Sequence, residues 1–487
     1  MRNGRDAQRW TRNLPTSTCL SHHDDDGQTD CGGRPRVQCP VGKLGSDPSK
    51  DKPLVQCWLS RGRPRKHGSS SFEAAGWGLL FHELRDFSRS TCGGLAFATS
   101  VFTSKPGSSK HHVLVGNFGS VYNVTLMLDG TQDVGQGYLY TLEIDIDTKS
   151  LALKHTVLAQ AAHPWLSINR KAGVVYGSGW SDPVSGTRTF SSYTIQPDFS
   201  VSWLNTVVSC GTKPIANDFI PQAGPHGTFY GVDFVDPCGE VWSVAENGAL
   251  ERKIQPLAYE VNSTLHGFAT TPDLKYMYIM NLGDNNVHGY TLNLHNGTLD
   301  STSLYRPSEL GAGPRHAAIT PNIKYFYLID EEGLRVDVFT ISPSDGSLIF
   351  ANVSLAVTPF GLTPANATSY WGDEIVISSD GRTLYASTRS KVPGPTTPGY
   401  ISGWALDADG ALASQDALFI IGTPGAGGTS NILSVSPWND ASKDMVILTD
   451  QDKDFVALYE LQGKELVLLD QVNITGVNCC SGSVWLN

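Results

Sequence analysis

One short pattern recurs along the chain, and it limits the possible folds more than any other feature. Segments 271–278 and 320–327 share the order Thr-Pro, a polar residue, an apolar residue, Lys and an aromatic stretch that ends in Tyr. A third copy, 379–385, keeps the turn and the strand. Each copy reads as a turn followed by a β-strand with alternating character. Such recurrence is typical of a fold built from one repeated supersecondary unit.

Aligning the tyrosine strand gives seven copies that lie 48 to 61 residues apart. The aligned positions are Val115, Tyr176, Tyr230, Tyr278, Tyr327, Tyr385 and Val446. Units of this length hold four strands each, so the pattern predicts an all-β, seven-bladed β-propeller over residues 111–487. The first copy lacks an inner strand, and segment 481–486 has the character of one. We therefore expect the C-terminal strand to close the ring, whereas two stacked β domains would not explain the even spacing.

Residues 1–110 differ from the repeats in composition and charge. They contain 17 Lys/Arg and 10 Asp/Glu, whereas the remainder contains 19 and 37. The segment shows no sustained periodicity, so we expect a disordered, basic leader with one short helix near residues 72–87. The Ala-Phe-Ala sequence at 96–98 is of the kind that signal peptidase cuts. We interpret the leader as a processing segment or a gene-model artefact.

The charge distribution also excludes some classes of partner. An acidic body disfavours broad binding to a phosphate backbone, and no run of 18 apolar residues indicates a transmembrane helix. The basic stretch from Arg61 to Lys66 resembles an AT-hook, but one such hook on an acidic body is better read as a solvated tail. We expect no nucleic acid and no membrane among the partners. The sequence does not determine the oligomeric state.

Six N-x-[ST] sequons indicate passage through the secretory pathway. A single sequon arises by chance, but six favour a secreted glycoprotein over the alternative of a cytoplasmic protein. The asparagines are Asn123, Asn262, Asn296, Asn352, Asn366 and Asn473.

The cysteines are too sparse for a disulfide scaffold. Cys210 and Cys238 lie in one repeat and are expected to form a disulfide if the protein is secreted. Cys479 and Cys480 could each pair elsewhere, with Cys92 as one candidate partner. The cysteines of residues 31–57 fit no standard zinc spacing, and we expect no metal and no cofactor.

The repeat also predicts a functional site. His266 and Arg315 stand six residues before the proline of the two clearest copies, where inner strands begin. A second set follows each aligned Tyr or Val by four residues and contains Glu331 and Arg389. Antiparallel neighbours bring both sets to one face. We therefore expect His266, Arg315, Glu331 and Arg389 to converge at the mouth of the central channel. The positions that match His266 elsewhere are predicted near Pro164, Asp218, Asp373 and Asn431.

These residue types favour an anionic substrate and proton transfer. Arg315 and Arg389 would bind carboxylates bidentately, and His266 and Glu331 would form an acid/base pair. The alternative for the arginines is an ion pair with Glu331 or Asp373 between blades, and for His266 a strand cap. The Gly-rich segment 422–428 lacks the Lys and the helix of a phosphate loop.

With these motifs, the body resembles the seven-bladed propeller lactonase family and, within it, the fungal 3-carboxy-cis,cis-muconate lactonising enzymes (carboxymuconate cyclases). The propeller-type 6-phosphogluconolactonases are relatives. The resemblance covers residues 111–487 and is carried by short motifs around the predicted site. They are Leu265-His266-Gly267-Phe268, Gly313-Pro314-Arg315, Glu331-x-Gly333, Ser387-Thr388-Arg389-Ser390, Gly399-Tyr400-Ile401-Ser402-Gly403, Ser430-Asn431 and Ser436-Pro437-Trp438.

The resemblance implies a cofactor-free cycloisomerase or lactonase with His266 and Glu331 as catalytic residues and Arg315 and Arg389 as substrate-binding residues. Two departures affect the substrate. Thr429 stands where the family pattern has a His, and the sequence from Lys213 to Ile215 replaces a His-Pro-Arg pattern. The alternatives are a 6-phosphogluconolactonase-like hydrolase and a secreted propeller with a non-catalytic binding, adhesin or antigen role.

Overall fold

The fold is a ring of seven antiparallel sheets. The computed structural model describes residues 109–119, 137–180, 188–307, 309–362, 367–392, 397–438, 444–474 and 479–487. Each sheet has four strands, and the inner strands of successive sheets contact one another in a closed circuit. The prediction of a seven-bladed all-β propeller is confirmed. Residues 1–108 lie outside the described residues, so the leader, the helix near 72–87, the Ala-Phe-Ala sequence and the Arg61 segment stay predictions.

Twenty-eight strands build the blades. Blades 1 to 4 contain β1 Lys110–Asn117, β2 Tyr138–Asp145, β3 Ser150–Leu158, β4 Leu166–Asn169, β5 Val174–Gly179, β6 Thr189–Ile195, β7 Val201–Val208, β8 Pro214–Ile220, β9 Thr228–Asp233, β10 Cys238–Val244, β11 Leu250–Ala258, β12 Leu265–Thr270, β13 Tyr276–Asn281, β14 Asn286–Leu292 and β15 Leu299–Tyr305. Blades 5 to 7 contain β16 Pro314–Ile319, β17 Tyr325–Asp330, β18 Arg335–Ile341, β19 Leu348–Ala356, β20 Tyr370–Ile377, β21 Thr383–Ser390, β22 Tyr400–Ala405, β23 Phe419–Gly422, β24 Leu433–Val435, β25 Met445–Asp450, β26 Phe455–Gln462 and β27 Glu465–Asn473. The last strand, β28 Cys479–Trp485, belongs to blade 1.

Blade 1 is completed from both ends of the ring. Its strand order is β28-β1-β2-β3, and β28 pairs antiparallel to β1 with Val113 opposite Trp485 and Val115 opposite Ser483. The predicted closure by the C-terminal strand is confirmed. Because β28 occupies the inner position, β1 has hydrogen-bonded neighbours on both sides and presents no open edge.

The repeated tyrosines join neighbouring blades. The hydroxyl of Tyr327 donates to the carbonyl of Gly410 in the next blade, at 2.7 Å. Tyr176, Tyr230 and Tyr278 make the same bond to a turn glycine of the following blade. All of these rings are buried. The residue that reveals the repeat in the sequence therefore holds successive repeats together.

The hydrophobic core lies between the blades rather than in one centre. Seven clusters of buried residues fill the interfaces of the described ring, such as the one that packs Tyr278 of blade 4 against Phe326 and Phe339 of blade 5. The second strands of the blades, such as β5 and β21, are buried throughout, whereas the outermost strand β3 is mostly exposed or half-buried. Burial on both faces leaves the inner strand ends as the place where polar side chains can meet.

Helical structure in the described residues is limited to the 3₁₀ turn Ala367–Ser369. No helix in the described part is long and apolar enough to cross a membrane. Four of the six sequons are described, and Asn262, Asn296, Asn352 and Asn473 are all exposed on the surface.

The described residues contain two disulfides. The bond between Cys210 and Cys238 joins the loop before β8 to the start of β10, as predicted. Cys479 and Cys480 are bonded to each other, so the expectation that each pairs elsewhere is wrong. The two are adjacent in sequence at the start of the inner strand β28 and bond across a single peptide link. Cys92 and the cysteines before it lie outside the described residues.

Candidate active site at the channel mouth

The register of the first two strands defines one equivalent position in each blade. The first residue of the inner strand in blades 3, 4 and 5, and the third in blade 6, pairs with the residue three after the aligned tyrosine, and the pairing then shifts at a β-bulge. The residue just inside the bulge is Ile215, His266, Arg315 or Asp373. Counting by register in the other blades gives Pro164, Ile432 and Cys480. These seven residues form the mouth ring.

The mouth ring agrees with three of the four predicted positions and corrects one. Pro164 and Asp373 occupy the predicted positions, and Asn431 is one residue away from Ile432. Asp218 is wrong, because β8 begins at Pro214 and places Ile215 in the ring. Asp218 lies further along β8, where it accepts a hydrogen bond from Thr270. Counting residues along the sequence placed the ring position of blade 3 three residues too far along the chain, because the lengths of the loops differ between copies.

Arg315 is held between two carboxylates from neighbouring elements. Its Nε lies 2.9 Å from Glu331 Oε2, and its Nη1 lies 2.6 Å from Asp373 Oδ1. The side chains of Arg315 and Asp373 are 3% and 0% exposed. Asp373 also accepts from the backbone N–H of Asn431. A buried guanidinium of this kind requires such partners, since unpaired charge is costly away from water.

Arg389 shares the same two carboxylates. Its Nη2 donates to Glu331 Oε2 at 3.0 Å, and its Nε lies 3.4 Å from Asp373 Oδ1. The face of its guanidinium stacks on Trp371, 4.6 Å from the ring centre. Two cations and two anions therefore form one buried cluster without net charge. The pairs Arg315–Asp373 and Arg389–Glu331 join blades 5 and 6, as the predicted alternative of ion pairs between blades describes, whereas the other two pairs lie within one blade.

His266 joins this cluster through a second histidine. His266 Nδ1 lies 2.8 Å from His316 Nε2, and His316 Nδ1 lies 3.2 Å from Arg315 Nη1 and 3.0 Å from Glu374 Oε2. Burial, reinforced by Arg315, holds the pKa of both imidazoles well below the usual range. Burial raises the pKa of Glu374 to about 8. Both histidines are therefore neutral near pH 7, and Glu374 keeps its proton.

The four predicted site residues thus meet in one cluster, as the repeat indicated, with His266 linked to the arginines by His316. Sequence reasoning missed His316 and Glu374. Each directly follows a residue of the mouth ring, and that adjacency in two neighbouring blades was the available signal. In a regular strand adjacent side chains face opposite ways, but the bulge lets Arg315 and His316 contact the same cluster.

A cavity of about 350 Å³ lies in the channel beside the cluster. Its polar wall includes His316 and Glu374, and most of the remaining wall is apolar. The other lining residues are Trp165, Leu166, Phe268, Ala317, Ile375, Val376, Ile432, Leu433, Ser434, Val435, Gly482 and Ser483. A pocket of this size with a few converging polar groups suits a small organic molecule.

Aromatic rings line the side of the mouth next to His266. The rings of Phe118 and Trp180, Trp180 and Phe234, and Phe234 and His266 have centroids 5.3, 5.7 and 5.9 Å apart. Lys213 Nζ lies 4.3 Å from the centre of the Trp180 ring. Burial and the nearby Arg188 lower the pKa of Lys213. The departure at Lys213 therefore places a cation beside an aromatic wall.

The Gly-rich segment supports the site by close packing. Gly427 has a φ of +86°, and a Cβ there would lie 2.7 Å from Arg389 Cβ and 2.9 Å from Asn431 Cβ. Only glycine suits both the backbone conformation and the space. No group of three or more His, Cys, Asp or Glu side chains in the described ranges is arranged to hold a metal ion.

A closed propeller with a buried, charged cluster at its channel mouth defines a class of small-molecule enzymes and binding proteins. The chain belongs to one family of that class, described as "Lactonase, 7-bladed beta-propeller", which matches residues 126–464. Family membership supports a lactone-related enzymatic function. The predicted family resemblance is confirmed.

Two characterised fungal proteins are similar in sequence. The chain is 27% identical over 251 residues to carboxy-cis,cis-muconate cyclase of Neurospora crassa, an alignment that covers 51% of this chain and 66% of that protein. It is 24% identical over 356 residues to muconate cycloisomerase 1 of Cutaneotrichosporon cutaneum, covering 69% of this chain and 91% of that protein. The chain thus spans slightly less than two thirds of the Neurospora relative.

Solved structures share the fold. A periplasmic gluconolactonase of Pseudomonas aeruginosa has a TM-score of 0.61 at 18% identity, covering 77% of this chain and 99% of its own. A putative 6-phosphogluconolactonase of Bacteroides fragilis has a TM-score of 0.60 at 18% identity, covering 79% and 100%. At such identities the likeness concerns the architecture alone.

Proposed function

We propose that this protein is a cofactor-free cycloisomerase that closes a lactone from a small, carboxylate-bearing, unsaturated substrate of the carboxymuconate type. The observation that carries the proposal is the buried cluster of Arg315, Arg389, Glu331 and Asp373 beside the neutral His266. Replacing a buried ion-pair network with apolar residues often leaves stability unchanged or improves it. A network of this size next to a cavity is therefore better explained by chemistry than by stability.

The arginines would bind the substrate's carboxylates. Glu331 and Asp373 contact Nε and Nη1 of Arg315 and Nη2 and Nε of Arg389. Arg315 Nη2 and Arg389 Nη1 are not engaged by either carboxylate. Two guanidiniums held at fixed positions offer donors to an incoming carboxylate at little further cost in ordering.

In the proposed reaction one substrate carboxylate oxygen adds to a carbon of the conjugated double bond, which forms the lactone C–O bond. The π electron pair moves to the neighbouring carbon, and that carbon takes a proton from His266 Nε2. The negative charge that develops toward the second carboxylate is stabilised by the arginines. Glu331 keeps the two guanidiniums side by side, and its own part in proton transfer stays a prediction.

An absorbance assay tests the proposal. The folded protein is incubated with 3-carboxy-cis,cis-muconate, and loss of the conjugated diene is followed beside the His266→Ala variant. We expect turnover by the wild type and a loss of about 10²- to 10⁴-fold in the variant. His155→Ala, on the outer strand β3, is the matched control and should keep full activity.

The other outcomes are informative. A well-folded wild type that leaves the muconate unchanged but hydrolyses a lactone would replace cyclisation with the hydrolase alternative, in which His266 or Glu331 activates water. A folded protein without turnover on the muconate or on a panel of lactones would contradict the enzymatic proposal and favour a binding role for the propeller.

We also propose that the protein is secreted and N-glycosylated. The exposure of Asn262, Asn296, Asn352 and Asn473 and the disulfide between Cys210 and Cys238 support this proposal. Intact-mass analysis of protein from its native source, before and after enzymatic deglycosylation, is expected to show several glycans. An unmodified mass would contradict it and favour the cytoplasmic alternative.

A further inference from the structure

Glu374 is a buried acid that the mechanism above does not use. It directly follows Asp373 of the mouth ring and is 4% exposed. Its Oε1 accepts from the backbone N–H of Ile375 at 3.0 Å, and its Oε2 lies 3.0 Å from His316 Nδ1. It also lines the channel cavity. An acid in this setting needs a reason, because an isolated buried carboxyl group lowers stability.

The hydrogen-bonding partners fix where the protons are. A guanidinium has no acceptor, so the contact between Arg315 Nη1 and His316 Nδ1 requires a lone pair on His316 Nδ1. Neutral His316 then carries its hydrogen on Nε2 and donates it to His266 Nδ1, which lies 2.8 Å away. Neutral His266 in turn carries its hydrogen on Nε2. The donors therefore lead from His316 to His266 Nε2, and Glu374 Oε2 lies 3.0 Å from the inner end of this path at His316 Nδ1.

The same logic sets the protonation of Glu374. Its Oε2 lies 3.0 Å from His316 Nδ1, whose lone pair faces Arg315, so two unprotonated atoms would repel each other there and a hydrogen on Glu374 relieves that repulsion. Burial, which raises the pKa of Glu374 to about 8, acts in the same direction. Arg315 opposes it and Asp373 reinforces it, while Leu433 of β24 and the preceding Ile432, which line the same cavity, are apolar. Arg389 influences the two histidines from β21.

We propose that His316 and Glu374 are positioning residues that hold His266 with its proton on Nε2 and replace that proton as His266 delivers it to the substrate. This inference rests on the proposed function. It resolves a difficulty in the proposed proton transfer, because a neutral imidazole that loses a proton without replacement would become a strongly basic anion.

The transfer balances in one concerted step. His266 Nε2 gives its proton to the substrate carbon, while His266 Nδ1 takes the proton of His316 Nε2. His316 Nδ1 takes the proton of Glu374, whose carboxyl group becomes a carboxylate. The substrate loses the negative charge of the carboxylate that becomes the lactone, and Glu374 gains one. Glu374 then recovers a proton from water through the cavity that it lines.

Glu374→Gln separates the relay from simple packing. The amide keeps the size of the side chain and can donate to His316 Nδ1, but it cannot give up a proton. We expect unchanged KM and a kcat lower by about 10²- to 10³-fold. In the wild type, kcat should fall as pH rises through about 8, as Glu374 loses its proton. In the Glu374→Gln variant, kcat should not show this decrease with pH.

Asp218→Asn is the matched control, since it removes a carboxyl group from the inner strand β8 without touching the chain of donors. It should leave kcat and its pH profile unchanged. A Glu374→Gln variant that retains wild-type kcat would overturn the proposal.

¹⁵N NMR of histidine-labelled protein tests the geometry without any substrate. The wild type and Glu374→Gln should both show His266 and His316 with hydrogen on Nε2. Hydrogen on Nδ1 of His266 in the wild type would overturn the relay even in an active enzyme. A wild type inactive on every substrate would end the catalytic role together with the proposed function, whereas the NMR result would still report whether the donor chain exists.

Discussion

The two sides of the mouth ring have the same backbone and different chemistry. Blades 4, 5 and 6 supply His266, Arg315 and Asp373, and the other four blades supply apolar or disulfide-bonded residues at the equivalent position. The latter are Cys480, Pro164, Ile215 and Ile432. The inner strands of blades 3, 4, 5 and 6 begin with the same bulge. The scaffold is therefore repeated, whereas the site occupies one arc of the ring.

Concentrating the charges in adjacent blades has a physical reason. Arg315 contacts Glu331 of its own blade, but it reaches Asp373 only because the side chains of neighbouring blades converge toward the channel. A single charged residue among Pro164, Ile215 and Ile432 would be buried without a partner, at a cost of several kcal/mol. A substrate at this mouth would meet ionic groups on one side and apolar or aromatic groups on the other.

The largest expected effect comes from removing one charge of the cluster. Arg315→Ala should lower the free energy of unfolding by about 3–5 kcal/mol, because Asp373 stays buried without its main partner. At the equivalent position on the apolar side, Ile432→Val should cost about 0.5–1.5 kcal/mol. Chemical denaturation measures both. Similar costs for the two variants would mean that the cluster is not a paired network.

On the charged side, the stability of the fold should depend on pH through Glu374. Folding raises the pKa of Glu374 from its usual value of 4.5 to about 8, so the native state holds more protons than the unfolded chain between these values. Glu374 therefore makes the fold less stable as pH rises through that range. Glu374→Gln should gain a few kcal/mol relative to the wild type between pH 5 and 9. Parallel stability curves would contradict this assignment.

A smaller loss of stability is expected when a side chain is added to the backbone that packs against Arg389. Gly427→Ala and Gly463→Ala both place a side chain at positive φ, but a Cβ at position 463 meets nothing within 4 Å. The conformational cost of about 1–2 kcal/mol is common to both. Gly427→Ala should cost a further 1–3 kcal/mol or so from crowding Arg389, and should reduce kcat/KM. Equal stability and activity of the two variants would show that Arg389 does not depend on this packing.

The smallest effect should be the same on both sides. Tyr327→Phe and Tyr230→Phe each remove one hydrogen bond to a turn glycine of the next blade. Each should lower the free energy of unfolding by about 1 kcal/mol. The shift in thermal midpoint measures it. A large difference between the two would mean that the repeated scaffold is not equivalent around the ring.

The repeat made the fold predictable because one residue type performs one task in several copies. Tyr278 and Tyr327 stand out in the sequence since each must reach a glycine carbonyl in the next blade. Closure followed from the missing inner strand of blade 1. Loop lengths carry no such constraint, and this is why counting placed Asp218 where Ile215 lies.

The site was predictable only in part. His266, Arg315, Glu331 and Arg389 could be found because their positions recur. Their pairing could not, since whether an arginine is free for a ligand depends on a carboxylate from another blade. His316 and Glu374 were missed because the bulge changes which neighbours share a face. Sequence reasoning could identify positions within one blade, but it could not predict the contacts between side chains of different blades.

The pairing of β28 with β1 also bears on how the protein is made. During synthesis β28 follows every other strand of the ring, yet β1, the first, needs it as a partner. Until then the nascent chain holds up to six complete blades and one with an unpaired inner edge, which is open to association with other chains. The same strand brings Gly482 and Ser483 to the wall of the channel cavity. The ring and the wall of its channel are thus finished by a single late event, and a chain stopped before β28 would lack both.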